Sequence, residues 1–198
     1  MDACYRYIYT RIDKVRPSLN EIDFASTDVS NTAYYFKKKL NPRYRPSTAL
    51  SGENYIYFRY TEVLLGYAEA QNEAVGADAS VYSAMNAVRA RVNLPALAAG
   101  MSQSQMRDAI RQERRVELCF ENKRFMDIIR WRIADKVLNG DLHGMKIENS
   151  VPSNNSGVWV YTPVGLNRKL VFNMKQYMHP VPQQAIAQNS RLVQNPGY

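Results

Sequence analysis

From about Tyr57 to Val75 the apolar side chains recur at helical spacing. Leu64, Leu65, Ala68 and Val75 share one broad face, and Glu62, Gly66, Glu69 and Glu73 fall on a neighbouring stripe. Gly76 is a natural C-cap, because glycine accepts the left-handed backbone that ends many helices. A second helix is predicted from about Ser80 to Asn93, apolar at Tyr82, Met85 and Val88–Val92 and stopped by Pro95. Ser102 or Ser104 can cap a third, running to about Glu121. A fourth spans about Arg124 to Leu138; its apolar residues from Phe125 to Val137 occur nearly all round it, which predicts burial.

The rest of the chain is less regular. Tyr5, Tyr7 and Tyr9 alternate with Arg6, Ile8 and Thr10 as in a short strand, and Tyr34 to Leu40 is a second candidate. Residues 141–165 read as turn-rich, with 151–157 a loop and Trp159-Val160-Tyr161 a short strand. The tail from Met178 to Tyr198 reads as extended or in short turns. The pattern predicts a mainly α chain, 1–198 as one domain, with a TPR-like helical hairpin, irregular loops and a few short strands.

Charge changes this picture little. A formal net charge of +8 invites a nucleic-acid reading, but Arg107 to Arg132 are interleaved with Asp108, Glu113, Glu117, Glu121 and Asp127. Only Lys37–Lys39 with Arg43 and Arg45 forms a basic run free of acids, so no nucleic-acid partner is expected. No apolar run is long enough for a membrane span, and the first residues lack the pattern of a signal peptide. Cys4 follows no lipobox-like stretch, and Cys119, between Leu118 and Phe120, reads as a small buried hydrophobe.

The candidate chemistry centres on charged residues at core positions. Glu113 and Glu117 lie on the same helical face as Met106, Ala109, Ile110 and Phe120. Buried carboxylates are costly unless paired. A glycosidase pair would need carboxylates on opposite sides of a substrate, which adjacent turns of one helix do not supply. Guanidinium groups such as Arg59, Arg89, Arg124 or Arg130 can instead bind them by paired hydrogen bonds. Asp127 and Arg130 stand at i, i+3 and form a second acid–base pattern. The reading is therefore a structural ion-pair network of Arg59, Glu62, Glu69, Arg89, Glu113, Glu117, Arg124, Asp127 and Arg130. The only histidines, His143 and His179, are far apart; no metal site, cofactor or catalytic residue is expected. Trp159 and Tyr161 could stack on sugar rings, or could pack an edge strand onto the helices.

Four segments, in order, resemble the SusD/RagB family of outer-membrane nutrient-binding lipoproteins. They are Arg59 to Glu73, with its R-x-x-E-x-L-L-x-x-A-E-A-x-N-E pattern; Val88 to Pro95; Arg111 to Trp131; and the close from Pro180-Val181-Pro182 to Gln194-Asn195-Pro196-Gly197-Tyr198. The resemblance is to the C-terminal part of such proteins. It implies a SusD-type helical fold and a binding protein without catalysis, at the cell surface of a Gram-negative outer membrane. The implied partners are an oligosaccharide ligand and a SusC-like TonB-dependent transporter, with membrane attachment only through a lipid anchor that this chain does not carry. A helical-repeat protein that binds only peptides or another protein is the alternative. Trp159 and Tyr161 are the candidate ligand contacts.

Overall fold

A computed structural model of the chain describes Thr32, Tyr34, Lys38, residues 54–150 and residues 157–198, with Asn149 by its backbone alone. The expected Tyr5–Tyr9 strand, the Lys37–Lys39 basic run with Arg43 and Arg45, and most of the 151–157 loop lie outside these residues; so does most of the 34–40 segment, of which Tyr34 and Lys38 are described. The described residues fall into two compact units, residues 54–130 and residues 131–198 with Thr32, Tyr34 and Lys38.

The first unit is built on α1 (Tyr60–Val75), α2 (Ala79–Ala90), α3 (Gln103–Glu117) and α4 (Arg124–Arg130). Local signals set the helix ends. Gly76, at φ +100°, turns the chain out of α1 while its N–H donates 2.9 Å to the Asn72 carbonyl. Asp78 Oδ1 caps α2, accepting from the N–H groups of Ser80 (2.8 Å) and Val81 (3.0 Å). Ser102 and Gln105 form a reciprocal capping box at α3. Leu65 and Ala68 of α1, Val81, Ala84, Met85 and Val88 of α2, and Met106 and Ile110 of α3 then form one buried cluster with Leu118. Side chains fasten the α2–α3 link to it: the Met101 N–H donates 2.9 Å to the Tyr82 hydroxyl, and the Leu97 N–H 2.9 Å to Asn86 Oδ1.

The Asp78 cap carries a measurable signature. Hydrogen bonds from Ser80 and Gln71, then from the Val81 N–H, bring its carboxyl down to about 2. A depressed folded-state pKa means that the contribution is present above the unfolded carboxylate value and is lost as pH falls through about 2. An NMR titration of the Asp78 carboxyl carbon should show its midpoint near 2; an ordinary carboxylate midpoint would mean that the cap does not form in solution.

Three helix expectations need correction. The third helix stops at Glu117 rather than near Glu121, because Phe120 and Asn122 take left-handed backbone angles of +59° and +60°. Cys119 consequently leaves the helical wheel and is exposed rather than buried. The expected fourth helix is broken, with Arg132 at φ +54° separating α4 from α5 (Ala134–Val137). It is not buried all round: Phe125 and Met126 are exposed, and the two-turn α4 buries Asp127 and Ile128 instead.

The second unit holds α5, a two-stranded antiparallel hairpin of β1 (Gly140–Asn149) and β2 (Trp159–Leu170), a 3-10 turn at Met174–Tyr177, and α6 (Gln183–Gln188). The hairpin replaces the turn-rich region and three-residue strand expected there. Met145-Lys146-Ile147-Glu148 does alternate, with Met145 and Ile147 buried, but the glycines around it read as turns. Gly144 has a packing reason: a Cβ there would stand 3.0 Å from the Thr32 carbonyl, which accepts the Met145 N–H at 3.0 Å.

The tail is a clasp. Gln194 bridges the backbone N–H and C=O of Val181 (2.7 and 2.9 Å), Asn195 donates to the His179 carbonyl, and the Tyr198 hydroxyl donates 3.1 Å to that of Met178. Asn139 similarly exchanges hydrogen bonds with the backbone of Phe172, and the Tyr177 hydroxyl donates to Asp135. Five side-chain amides and hydroxyls thus hold a region with little regular secondary structure.

Candidate functional site

Functional side chains gather in two places: the charged layer of the helical unit and the aromatic pair on β2. In the first, α1 presents Glu62, Glu69 and Glu73 along one stripe, and a base meets each. Lys123 lies 3.0 Å from Glu62, Arg130 binds both oxygens of Glu69 at 2.6 Å, and Arg107 binds both oxygens of Glu73 at 2.6 Å. Below this rim Arg114 grips Asp127 with two bonds of 3.1 Å and comes within 3.8 Å of Glu69. Arg130 completes the group by a 2.9 Å contact with Asp127, its i, i+3 partner.

At the far end of α3, Arg59 acts as an external C-cap. Its guanidinium donates 2.7 Å to the Glu117 backbone carbonyl and pairs with the side chains of Glu117 (2.7 Å) and Glu121 (2.9 Å). A cation here also suits the negative end of the helix dipole. Burial opposes the charge on Arg59, but the hydrogen bonds with Glu121 and Glu117 outweigh it and raise its pKa above the ordinary guanidinium value. Arg89 ties Glu113 (2.7 Å) to the Pro95 carbonyl (2.8 Å), and Arg91 also bonds to Glu117.

Arg124, expected in this network, forms no ion pair among the described residues. Glu121 and Asp127, the acids nearest in sequence, are already engaged, the first by Arg59 and the second by Arg114 and Arg130, and burial together with the neighbouring Arg115 lowers the basicity of Arg124. The pivotal residue is instead Arg114, which the sequence reading passed over. A signal for it exists: Met106, Ile110 and Arg114 run i, i+4, i+8 down the buried stripe of α3.

Chemically this layer is a lock. Glu113 and Glu117, the pair closest to a glycosidase arrangement, follow each other on one helix, and guanidinium groups hold both. They do not flank a cleft as general acid and base must. No group of three or more His, Cys, Asp or Glu side chains among the described residues is arranged to hold a metal ion. No helix among them is long and apolar enough to cross a membrane.

The second constellation is smaller. In the hairpin register Tyr161 stands opposite Ile147, and Trp159 opposite Asn149. Directly paired residues share a sheet face, so both aromatic rings lie on the side that buries Met145 and Ile147. Trp159 and Tyr161 are half-buried there, and Val158 and Val160 are exposed on the opposite face. The two rings are therefore anchored by packing and keep part of their surface accessible.

Comparison with known proteins adds the context. Residues 15–198 match the SusD family. SusD-like protein P2 of Formosa agariphila is 32% identical over 157 residues, which are 75% of this chain and 26% of that protein. A SusD-like protein from Bacteroides fragilis superposes with a TM-score of 0.61 at 33% identity, over 74% of this chain and 26% of its own. A SusD homologue from Bacteroides thetaiotaomicron gives 0.53 at 31% identity, covering 75% and 28%. The chain spans about a quarter of the length of these relatives.

Proposed function

The chain belongs to the SusD family, and from that membership we propose that it is the helical part of a cell-surface protein that captures an oligosaccharide. It hands the ligand to a SusC-like TonB-dependent transporter and catalyses no reaction. Attachment to the outer membrane is through a lipid anchor, as the family resemblance implies. The observation that carries this reading is the fate of the carboxylates. The family-like motif residues Arg59, Glu62, Glu69, Arg89, Glu113, Glu117, Asp127 and Arg130 are joined in ion pairs that hold helices and loops together. Such a layer supports a binding scaffold and leaves recognition to other surfaces.

Trp159 and Tyr161 are the proposed contacts. Aromatic rings suit the apolar face of a pyranose, and rings already seated by packing lose little freedom on binding. A glycan array probed with the purified chain should find one polysaccharide class, and Trp159→Ala should weaken that binding roughly tenfold. Unchanged affinity in the mutant would remove Trp159 from the site. Binding of peptides with no response to any glycan would move the function to the alternative of peptide or protein capture.

A further inference from the structure

Charge is spread unevenly along the chain. Residues 54–130 hold ten Lys or Arg against nine Asp or Glu, and the ion-pair layer uses most of both. Residues 131–198 hold seven against three. Two of those three acids are engaged, Glu148 by Lys146 at 2.7 Å and Asp135 by the Tyr177 hydroxyl. Positive charge is therefore left over here, and Arg168 and Lys169 carry part of it side by side. Both are exposed, and neither forms an ion pair or a side-chain hydrogen bond among the described residues. Asp141 stands across the hairpin from Lys169 without pairing with it, so both bases stay available.

The hairpin register explains their exposure. His143 pairs with Gly165 and Asp141 with Lys169, so Leu142 of β1 faces Leu166, Asn167 and Arg168 of β2. A bulge of this kind bends its strand and re-aims the side chains beside it. Asn167, at φ +51°, supplies the left-handed backbone. Half-buried residues recur along β2 from Trp159 to Leu166, whereas Asn167 to Leu170 are all exposed. The same register ties the bulge to the aromatic pair. Lys169 lies opposite Asp141, and β1 runs unbroken from there to Ile147, the partner of Tyr161. Six residues on β1 place Lys169 on the face of Tyr161, roughly 20 Å along the hairpin. Between them on that row of β2, Pro163 and Gly165 are exposed.

We propose that the oligosaccharide stacked on Trp159 and Tyr161 is acidic, and that it lies along β2 with a carboxylate or sulfate ester held by Arg168 and Lys169. The inference rests on the glycan reading and adds the class of sugar to it. A neutral sugar gains little from two unpaired cations, whereas an anionic group gains charge-assisted hydrogen bonds, bidentate ones from the guanidinium. Charge complementarity thus selects the occupant of this open row. A nucleic acid would be followed by bases along its backbone, and the row from Trp159 to Gly165 holds none.

A glycan array of neutral, carboxylated and sulfated polysaccharides, probed with the 198-residue chain, should return an acidic class; its charged group separates carboxylate from sulfate. Arg168→Gln with Lys169→Gln should weaken that binding about tenfold, and about 0.5 M NaCl should weaken it likewise. Lys136→Gln with Arg191→Gln removes as much charge from exposed positions of the same unit and should change the affinity by about twofold or less. Arg168→Lys with Lys169→Arg should bind as the parent does. Selection of a neutral class that needs Trp159 would overturn the acidic sugar and leave the glycan reading standing. No response to any glycan would remove both. Equal losses from the two charge-removing pairs, no loss from Arg168→Gln with Lys169→Gln, or equal affinity for a DNA duplex would each overturn the proposal.

Discussion

Replacing Arg114 by alanine is expected to cost about 3–5 kcal/mol of folding stability, the range for removing one partner of a buried ion pair. Arg114 and Asp127 are among the buried charged residues of the helical unit, at 7% and 4% exposure. Two bonds join them, and a second acid, Glu69, lies 3.8 Å from the same guanidinium. Without Arg114, Asp127 keeps Arg130, which is much more exposed and shared with Glu69, so a buried carboxylate oxygen loses its donor. Urea denaturation followed by circular dichroism measures the change, with the slope held to that of the parent. The double substitution Arg114→Met, Asp127→Leu should recover most of the loss, because burying the charges is itself costly. A loss below about 1 kcal/mol for Arg114→Ala, the level of an exposed pair, would show that the buried pair is not a main support of the unit. The more exposed Arg107–Glu73 pair provides the contrast, and Arg107→Ala should have a far smaller effect.

Leu65→Ala should cost about 2–5 kcal/mol, from lost transfer energy and the cavity left behind. Leu65 is wholly buried in the cluster that joins α1, α2 and α3. Its surroundings include Met85 and Met106, whose flexible side chains can fill part of the gap, so the lower half of that range is the better expectation. Two residues away Val63 is exposed, and Val63→Ala in the 198-residue chain should change stability by about 0.5 kcal/mol or less. The pair of measurements tests the phase of the helix directly. Equal costs at the two positions would mean that α1 does not present Leu65 inward as described.

Much of the helical unit was legible before any coordinates, because its signals are local. The 3.6-residue spacing of apolar positions, the glycine after Val75 and the serine before Gln103 each act within a turn or two of themselves. The second unit was harder to read. Its hairpin depends on pairing β1 with a strand ten residues further on, and glycines such as Gly144, which a crossing backbone requires, look like turns when read alone. Gln194, Asn195 and Tyr198 stood out as a motif, but their role as a clasp depends on residues 178–181 lying beside them. Trp159 and Tyr161 were recognised as a pair two apart; that they share a face with buried Ile147 comes only from the strand register.

The sequence by itself determined that this is a helical chain of the SusD type, that carboxylates sit at core positions, and that arginines must answer them. Which arginine meets which acid was a tertiary decision. Arg114 took the place expected for Arg124: it lies on the buried stripe of α3 and reaches Asp127, whereas Arg124 forms no ion pair among the described residues. The break at Arg132 and the exposure of Cys119 have the same origin. Helix periodicity predicts a face only for as long as the helix continues, and no glycine or proline marks the end of α3 or α4 in the sequence as Gly76 marks that of α1.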